Sequence, residues 1–487
     1  MRRDGRRRST SRVDPKTRCC TESCGRILAS FLERAAESHE TGVPRFVDKE
    51  LHGYLRCGVL AHGFCRMQCG GCSYERLVPL SCKGRGICPS CGGKRMTELA
   101  LHLTEQVIPH VPVRQFVLSL PHRLRYLLAY YHARSLGVLR VVLRAVFGFY
   151  RRGAKRGTAA DGRTGSVTFV QRFGSAGNLN LHFHILVLDG VFTEAPDHCL
   201  RFHPAEPPTD DSIAQLLATI RRRVLRHVAR CAPSEDAAES PDRLSNEAPL
   251  LAACYASSIG QRRTLGARAG APLERIGSDR SAPWVEHRVR PQAHLEGFDL
   301  HAALRVTGQH PEGRAPLEKL LKYCARPPIA HDRLSELPDG RIALRLKTPW
   351  SDGSTHVVYE PLDFIAKLAA LIPRPHKNLI LYHGVLAANS SWRQRVVRHG
   401  RCAERETCAR EAGANLDPPS MCPRRAQWAD LMRHAFGYEL LSCPRCGCKM
   451  KLLACILDRA SIRKILTRRG LSAEPPPCAA ASGEWGE

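Results

Sequence analysis

Two histidines one residue apart, His182 and His184, lie in a segment (Leu179–Leu188, LNLHFHILVL) otherwise made of strand-forming residues. Alternate side chains of a strand share a face, so both imidazoles project together while Leu181, Phe183 and Ile185 point to the opposite, apolar side. Two imidazoles on one rigid face make half of a divalent-metal site. They leave room for an oxygen ligand and water, which suits Mg²⁺ or Mn²⁺. Gln171, on the preceding strand, is the candidate third ligand. An ion held there can bind and orient a phosphodiester and stabilise charge on a departing oxygen. Taken alone, such a histidine pair more often serves packing than metal binding, so the surroundings decide.

A candidate nucleophile lies downstream. In Leu317-Glu-Lys-Leu-Leu-Lys-Tyr323-Cys-Ala-Arg-Pro-Pro the apolar stripe of a helix comprises Leu317, Leu320, Leu321 and Cys324, and Tyr323 falls near its edge. The ring can pack there while the hydroxyl faces a cleft, with Lys319, Lys322 and Arg326 available for phosphate contacts. Phenol is a weak nucleophile near neutral pH and needs a metal or a neighbouring cation. Spacing alone does not select this tyrosine, because most helical tyrosines are core or interface residues.

The cysteines speak for zinc. Cys69-Gly-Gly-Cys72 and Cys88-Pro-Ser-Cys91, fifteen residues apart, read as two turns that present four thiolates to one tetrahedral ion. Cys57, Cys65 and Cys82 lie close enough in sequence to replace one ligand. The basic residues Lys83, Arg85, Lys94 and Arg95 make DNA contact by this segment an expectation, although a purely structural zinc site has the same spacing. Near the end, Cys443-Pro-Arg-Cys446 is a possible half-site for zinc, to be completed by Cys455 or Cys422.

These residues need elements to hold them. Gly165–Phe173 (GSVTFVQRF) and Leu179–Leu188 flank a turn at Gly174–Asn178 and predict a hairpin. Helices are predicted over residues 26–56, Met96–Ile108, Arg123–Arg152, Ile213–Ala229 and Leu317–Arg326, and a second hairpin over Arg341–Leu346 and Thr355–Tyr359. The expected fold class is α+β. It divides into a disordered basic arm (1–25), a zinc-binding, DNA-binding domain (26–105), a catalytic domain (106–335) and a helical, zinc-ribbon-like C-terminal region (336–487). Residues 231–249 read as a polar linker or insertion, and 268–296 as loop.

Composition bounds the function. Seventy-four Lys+Arg against 46 Asp+Glu leave a formal charge of +28, which points to a polyanionic partner, DNA before membrane. No run of eighteen apolar residues indicates a membrane span. Twenty-two cysteines without a secretory leader argue for reduced, metal-binding thiols and a cytoplasmic location. No GxxxxGK[ST] phosphate loop is present, so a fused helicase is not expected.

Several stretches together resemble the insertion-sequence-91 family of rolling-circle transposases, in the HUH endonuclease superfamily. They are SCKGRGICPSCGGKRM (Ser81–Met96), VRQFVLSLPHRLR (Val113–Arg125), SVTFVQRFGSAGNLNLHFHILVLDGVF (Ser166–Phe192), KYCARPPIA (Lys322–Ala330), YHGVLA (Tyr382–Ala387) and Trp428–Gly447. The resemblance implies a zinc-binding N-terminal domain followed by a catalytic domain with a central antiparallel sheet flanked by helices. It implies that His182 and His184 are the metal-binding pair and Tyr323 the nucleophile. The tyrosine would form a 5′-phosphotyrosine link, free a 3′-hydroxyl, and be released by strand transfer. Some members carry two tyrosines four residues apart, but Lys319 occupies that position here. A single-tyrosine, metal-dependent DNA endonuclease and strand transferase is therefore expected, with Tyr255 an outside candidate for a second nucleophile. Expected partners are single-stranded element ends and target DNA, host helicase or replication machinery and a second protomer, at a bacterial nucleoid. The readings competing with it are a non-catalytic zinc-dependent DNA-binding copy and a plasmid replication initiator or relaxase.

Overall fold

The glycines and asparagine of Gly174–Asn178 reverse the chain between two segments rich in branched and aromatic residues, and the hairpin so formed is the centre of the protein. In the computed structural model, which describes residues 27–36, 42–155, 157, 159, 161–231, 242–277, 290–307, 314–401 and 439–474, its strands are β4 (Gly165–Phe173) and β5 (Leu179–Leu188). The expected basic arm, Cys422 and most of the polar linker lie outside the described residues.

In chain order, α1 spans residues 27–36, α2 Arg45–Arg56, β1 Phe64–Cys69, β2 Glu75–Pro79 and α3 Pro89–His102. A π-helical turn, Leu103–Val107, leads to β3 (Val113–Ser119), α4 (His122–Tyr130) and α5 (His132–Lys155). After the hairpin come β6 (Gly190–Glu194), β7 (Leu200–Pro204), α6 (Asp210–Arg230), α7 (Arg243–Glu247), α8 (Pro249–Gly260), β8 (Glu274–Ile276), β9 (Gln292–Leu295), β10 (Phe298–His301) and β11 (Arg305–Val306). Then follow α9 (Ala315–Ala325), β12 (Leu334–Glu336), β13 (Ile342–Arg345), β14 (His356–Tyr359), α10 (Pro361–Leu371), β15 (Ile380–Gly384), α11 (Arg393–Arg398), β16 (Met450–Ile456) and α12 (Arg459–Arg468).

The fold is mixed helix and antiparallel sheet. The main sheet runs β15-β4-β5-β3-β10-β9, with β11 also paired to β3. β5 lies inside it, in register with β4 (Gln171 opposite His182) and with β3 (Ser119 opposite His182). Helices cover both faces. On one face Leu181, Phe183 and Ile185 join Phe116, Leu118 and the buried sides of α5, α6, α8 and α10 in the larger core. On the other, Leu186, Leu188, Val167 and Phe169 pack with α3, the π-helical turn and α9. A strand buried on both sides reads as a continuous apolar run, which is why β5 carries so few polar residues.

Both predicted hairpins form. β13 pairs with β14 within a small sheet ordered β12-β13-β14-β8, and this sheet grips the β4–β5 turn: the Tyr359 hydroxyl donates to the Ala176 carbonyl, and Arg333 to that of Ser175. The predicted long helix over Arg123–Arg152 is two helices broken at Tyr131, and the segment expected as loop, 268–296, contributes β8 and β9. Residues beyond 335, expected as a separate region, supply β15 to the main sheet and β16 to a three-stranded sheet ordered β16-β1-β2.

One polar network is sealed inside. Asp189, fully buried where β5 ends, accepts two hydrogen bonds from Arg114 at 3.0 Å each, one from the Tyr150 hydroxyl at 2.8 Å and one from Arg305 at 2.7 Å. It joins β3, β5, β11 and α5. Removing the carboxylate strands a buried guanidinium, so Asp189→Ala should destabilise the protein by about 3–5 kcal/mol. Denaturant unfolding measures this, and an unchanged midpoint would show that the network contributes nothing.

Candidate functional site

The period-two alternation of β5 places His182 and His184 on the α9 side of the sheet, 8% and 3% exposed. The His182 ring donates from Nδ1 to the Asn180 carbonyl at 2.8 Å, which leaves its Nε2 lone pair free. Nε2 of His182 and Nε2 of His184 converge to 3.1 Å. With metal–nitrogen bonds of about 2.1 Å, that spacing subtends about 95°, the angle of two adjacent ligands in an octahedron. Burial pushes the His182 imidazole down to about 4, with Arg326 and Arg125 adding to the effect, and holds His184 well below its ordinary value. Both rings are therefore neutral near pH 7, the state that ligates metal.

Two glutamines tie this pair to α9. Gln115, on β3, sets its side-chain amide 2.8 Å from His184 Nδ1 and 3.1 Å from the Cys324 sulfur. Gln171, opposite His182 on β4, donates from Nε2 to the Cys324 carbonyl at 2.6 Å and to that of Tyr323 at 3.4 Å. These carbonyls belong to the last turn of α9, where helix geometry leaves acceptors unpaired. The amide direction of Gln171 is thereby set, and its Oε1 is buried without a hydrogen-bond partner among the described residues. An orphaned oxygen opposite His182 fits an oxygen ligand for an ion held by the two imidazoles.

Tyr323 stands at the exposed edge of α9, as its place in the apolar stripe predicts: Leu317, Leu320, Leu321 and Cys324 are buried, and Tyr323 is 45% exposed. Its ring meets that of His184 edge-on, with centroids 5.8 Å apart. The Arg326 guanidinium lies 4.7 Å from the Tyr323 ring centroid and Lys347 Nζ 5.0 Å. Lys347 comes from the loop between β13 and β14, which the small sheet holds against the hairpin turn. Nothing in its local sequence marked Lys347, and Gln115 lies 67 residues before His182; only the sheet register brings them in. Tyr255, the outside candidate, is fully buried, and its hydroxyl accepts from Arg172 at 2.9 Å. It has no route to a substrate.

The cysteines form two groups of four, and the expected pairing of Cys69 and Cys72 with Cys88 and Cys91 is corrected. One group is Cys57, Cys82, Cys88 and Cys91; the other is Cys69, Cys72, Cys443 and Cys446, the sulfurs within each lying within 4.8 Å of one another. The reason is the β1–β2 hairpin. Cys69 and Cys72 sit at its turn, whereas Cys82 and Cys88 follow after β2 has run back to the opposite end, about 17 Å away at the rise of a five-residue strand. No single ion spans that distance. Cys57, at the end of α2, and Cys82 take the places that Cys69 and Cys72 vacate, and the C-terminal Cys443-Cys446 half-site finds its partner at the hairpin turn.

The geometry of both groups suits zinc. Neighbouring sulfurs lie 3.4–3.7 Å apart in the first and 3.3–3.5 Å in the second, against about 3.8 Å for the edge of a tetrahedron with 2.3 Å zinc–sulfur bonds. Amide N–H groups two residues along donate to Cys69, Cys82 and Cys443, as thiolates require. Four thiols this close cannot all ionise without a cation between them. Cys65 and Cys455, also candidates, are cross-strand neighbours with sulfurs 3.0 Å apart, and belong to neither group.

Among the cations expected to meet DNA, Lys83, Arg85 and Lys319 are exposed, and Lys94 and Arg326 are half-buried. Lys322 pairs with Glu318 at 2.6 Å. Arg95 turns inward, donating to the carbonyls of Lys83 and Gly84, and braces the first cysteine group.

Residues 27–120 match the family model described as "Transposase zinc-binding domain", and residues 165–394 match that described as "Putative transposase". Both fall where the geometry places the thiolates and the histidine–tyrosine site. The chain belongs to the insertion-sequence-91 family of transposases. It thus acts on DNA and binds zinc. None of the curated proteins and none of the solved structures matches the chain. No helix among the described residues is long and apolar enough to cross a membrane.

Metal analysis of the folded transposase should find two zinc ions per chain. Cys91→Ser and Cys443→Ser should each remove one, and the double variant both. If Cys72→Ser and Cys88→Ser deplete the same ion, and their combination no more, the two-site assignment is wrong.

Proposed function

We propose that this transposase nicks and rejoins single-stranded DNA through a 5′-phosphotyrosine link at Tyr323. The observation that carries the reading is the edge contact between the exposed Tyr323 ring and His184, whose Nε2 converges with that of His182. His182, His184 and Gln171 Oε1 would hold Mg²⁺ or Mn²⁺. When bound, the ion supplies Lewis-acid polarisation of the scissile phosphate and charge stabilisation at the leaving oxygen.

The chain's own residues do the rest. Arg326 and Lys347 flank the phenol ring and offset the charge of the phosphate brought to it. Tyr323 Oη attacks phosphorus, the bond to the 3′ oxygen breaks, and that oxygen leaves as a hydroxyl after taking up a proton. A 3′-hydroxyl of the receiving strand then displaces the tyrosine, and the phosphodiester bond energy is conserved without a nucleotide cofactor. Gln115 keeps the His184 ring in orientation, its amide nitrogen 2.8 Å from Nδ1. Lys83, Arg85, Lys94 and Lys319 add backbone contacts to the bound strand. With Lys319 at the four-residue spacing and Tyr255 buried, one tyrosine serves each protomer, and completing the transfer falls to its reuse or to a second copy. Host helicase or replication machinery supplies the single strands.

An oligonucleotide from the element's end, incubated with Mg²⁺ or Mn²⁺, should become covalently attached to the protein. Tyr323→Phe should abolish the adduct while retaining binding, and His184→Ala should abolish metal-dependent cleavage. Gln115→Leu should weaken metal affinity by about 10–100-fold. An adduct that persists in Tyr323→Phe would assign the nucleophile elsewhere.

A further inference from the structure

The helix that begins at the first cysteine group packs against the nucleophile helix. Cys88 is the residue before α3 and Cys91 lies in its first turn, so this metal site and the start of the helix are one unit. The next residue, Gly92, faces Pro327: a Cβ added at Gly92 would lie 2.7 Å from Pro327 Cβ and 3.4 Å from its Cγ. A pyrrolidine ring is tied to its own backbone and cannot swing aside as a flexible side chain does. Pro327 follows Arg326, whose guanidinium lies over the Tyr323 ring. The path from thiolate to phenol is therefore short and stiff: Cys91, Gly92, Pro327, Arg326, Tyr323.

The residue type at 92 needs this contact to explain it. Inside a helix glycine costs about 1 kcal/mol relative to alanine, and the φ of Gly92 does not lie in the left-handed region. Close approach to Pro327 is what remains. On its other side α9 is held to the sheet by Gln115 and Gln171. The helix is thus clamped between the sheet that carries the histidines and the helix that carries two thiolates.

We propose that the zinc site of Cys57, Cys82, Cys88 and Cys91 sets the position of α9, and through it that of Tyr323 against His184, with Gly92 as the positioning residue. The activity arm of the test rests on the phosphotyrosine reading; the exchange arm does not.

The experiment is a double-mutant cycle of Gly92→Val and Pro327→Gly in the full chain. Gly92→Val should keep both zinc ions and its affinity for the oligonucleotide, yet form the adduct on the order of 100-fold more slowly in single turnover, the cost of a misplacement near 1 Å. Adding Pro327→Gly should restore at least tenfold of that loss. In hydrogen exchange, the amides of Ala315–Ala325 should lose protection in Gly92→Val and in Cys91→Ser, while those of β4 and β5 keep theirs. Gly92→Ala, which favours the helix, should show the same signs more weakly, and it decides the matter if the valine variant does not fold. Wild-type rate and wild-type α9 protection in the Gly92 variants would overturn the proposal, as would a double variant no faster than Gly92→Val. If the wild-type protein forms no adduct, the phosphotyrosine reading fails by itself. Exchange alone then decides: α9 protection lost in Gly92→Val and regained in the double variant upholds the coupling, and unchanged protection refutes it.

Discussion

The alternation of side chains along β5 is the constraint on which the rest depends. An interior strand, covered on both faces, must send every second residue into each of two cores. Leu181, Phe183 and Ile185 fill one so completely that the register cannot slip by a residue without burying imidazole in hydrocarbon. His182 and His184 are consequently held on the other face with almost no freedom, and the core that begins at Leu186 closes around them through α9 and α3. The site sits on a strand buried at nearly every residue, beside a β4 buried at all of them.

The zinc groups solve a different problem. The second joins residues 371 and 374 apart in sequence, a closure that is entropically costly for a small three-stranded sheet with few buried apolar residues. Metal binding contributes folding free energy where packing cannot. β16 pairs along β1 from Phe64 to Cys69, so the N-terminal zinc-binding module is completed by strand and ligands from the far end of the chain. The first group lies against the larger core, with Cys88 and Cys91 buried in it, and thereby connects that module to the main sheet.

What was legible in the sequence is what repeats locally. Strand alternation placed the histidines, a helical stripe put Tyr323 at an edge, and turn residues marked both hairpins. The zinc ligands were recognisable as ligands, but not their partition, because spacing along the chain does not say which end of a hairpin a residue occupies. Cys57 and Cys82, each without a second cysteine at a two-residue gap, carry no half-site signature, although together they make one. Lys347 and Gln115 were invisible for the same kind of reason: their roles arise from register and from the docking of one sheet on another. The cation cluster at Lys83–Arg95 shows the converse, since charge in sequence does not reveal that Arg95 is spent on its own loop.

The polar atoms around the histidines bear on what occupies the site. A buried acceptor without a partner costs about 1–3 kcal/mol, and two such amide oxygens lie beside the histidines: Asn180 Oδ1, two residues before His182, and Gln171 Oε1, opposite it. Gln171 cannot relieve this by rotating, because its nitrogen is committed to the carbonyls at the end of α9. The two imidazoles beside it face each other through Nε2 atoms 3.1 Å apart, so a single proton can serve both. The same amide that offers its oxygen to the site holds the tyrosine helix with its nitrogen. On the reading proposed for this site, one side chain thereby links metal occupancy to the position of the nucleophile, and a change at either would be felt at the other.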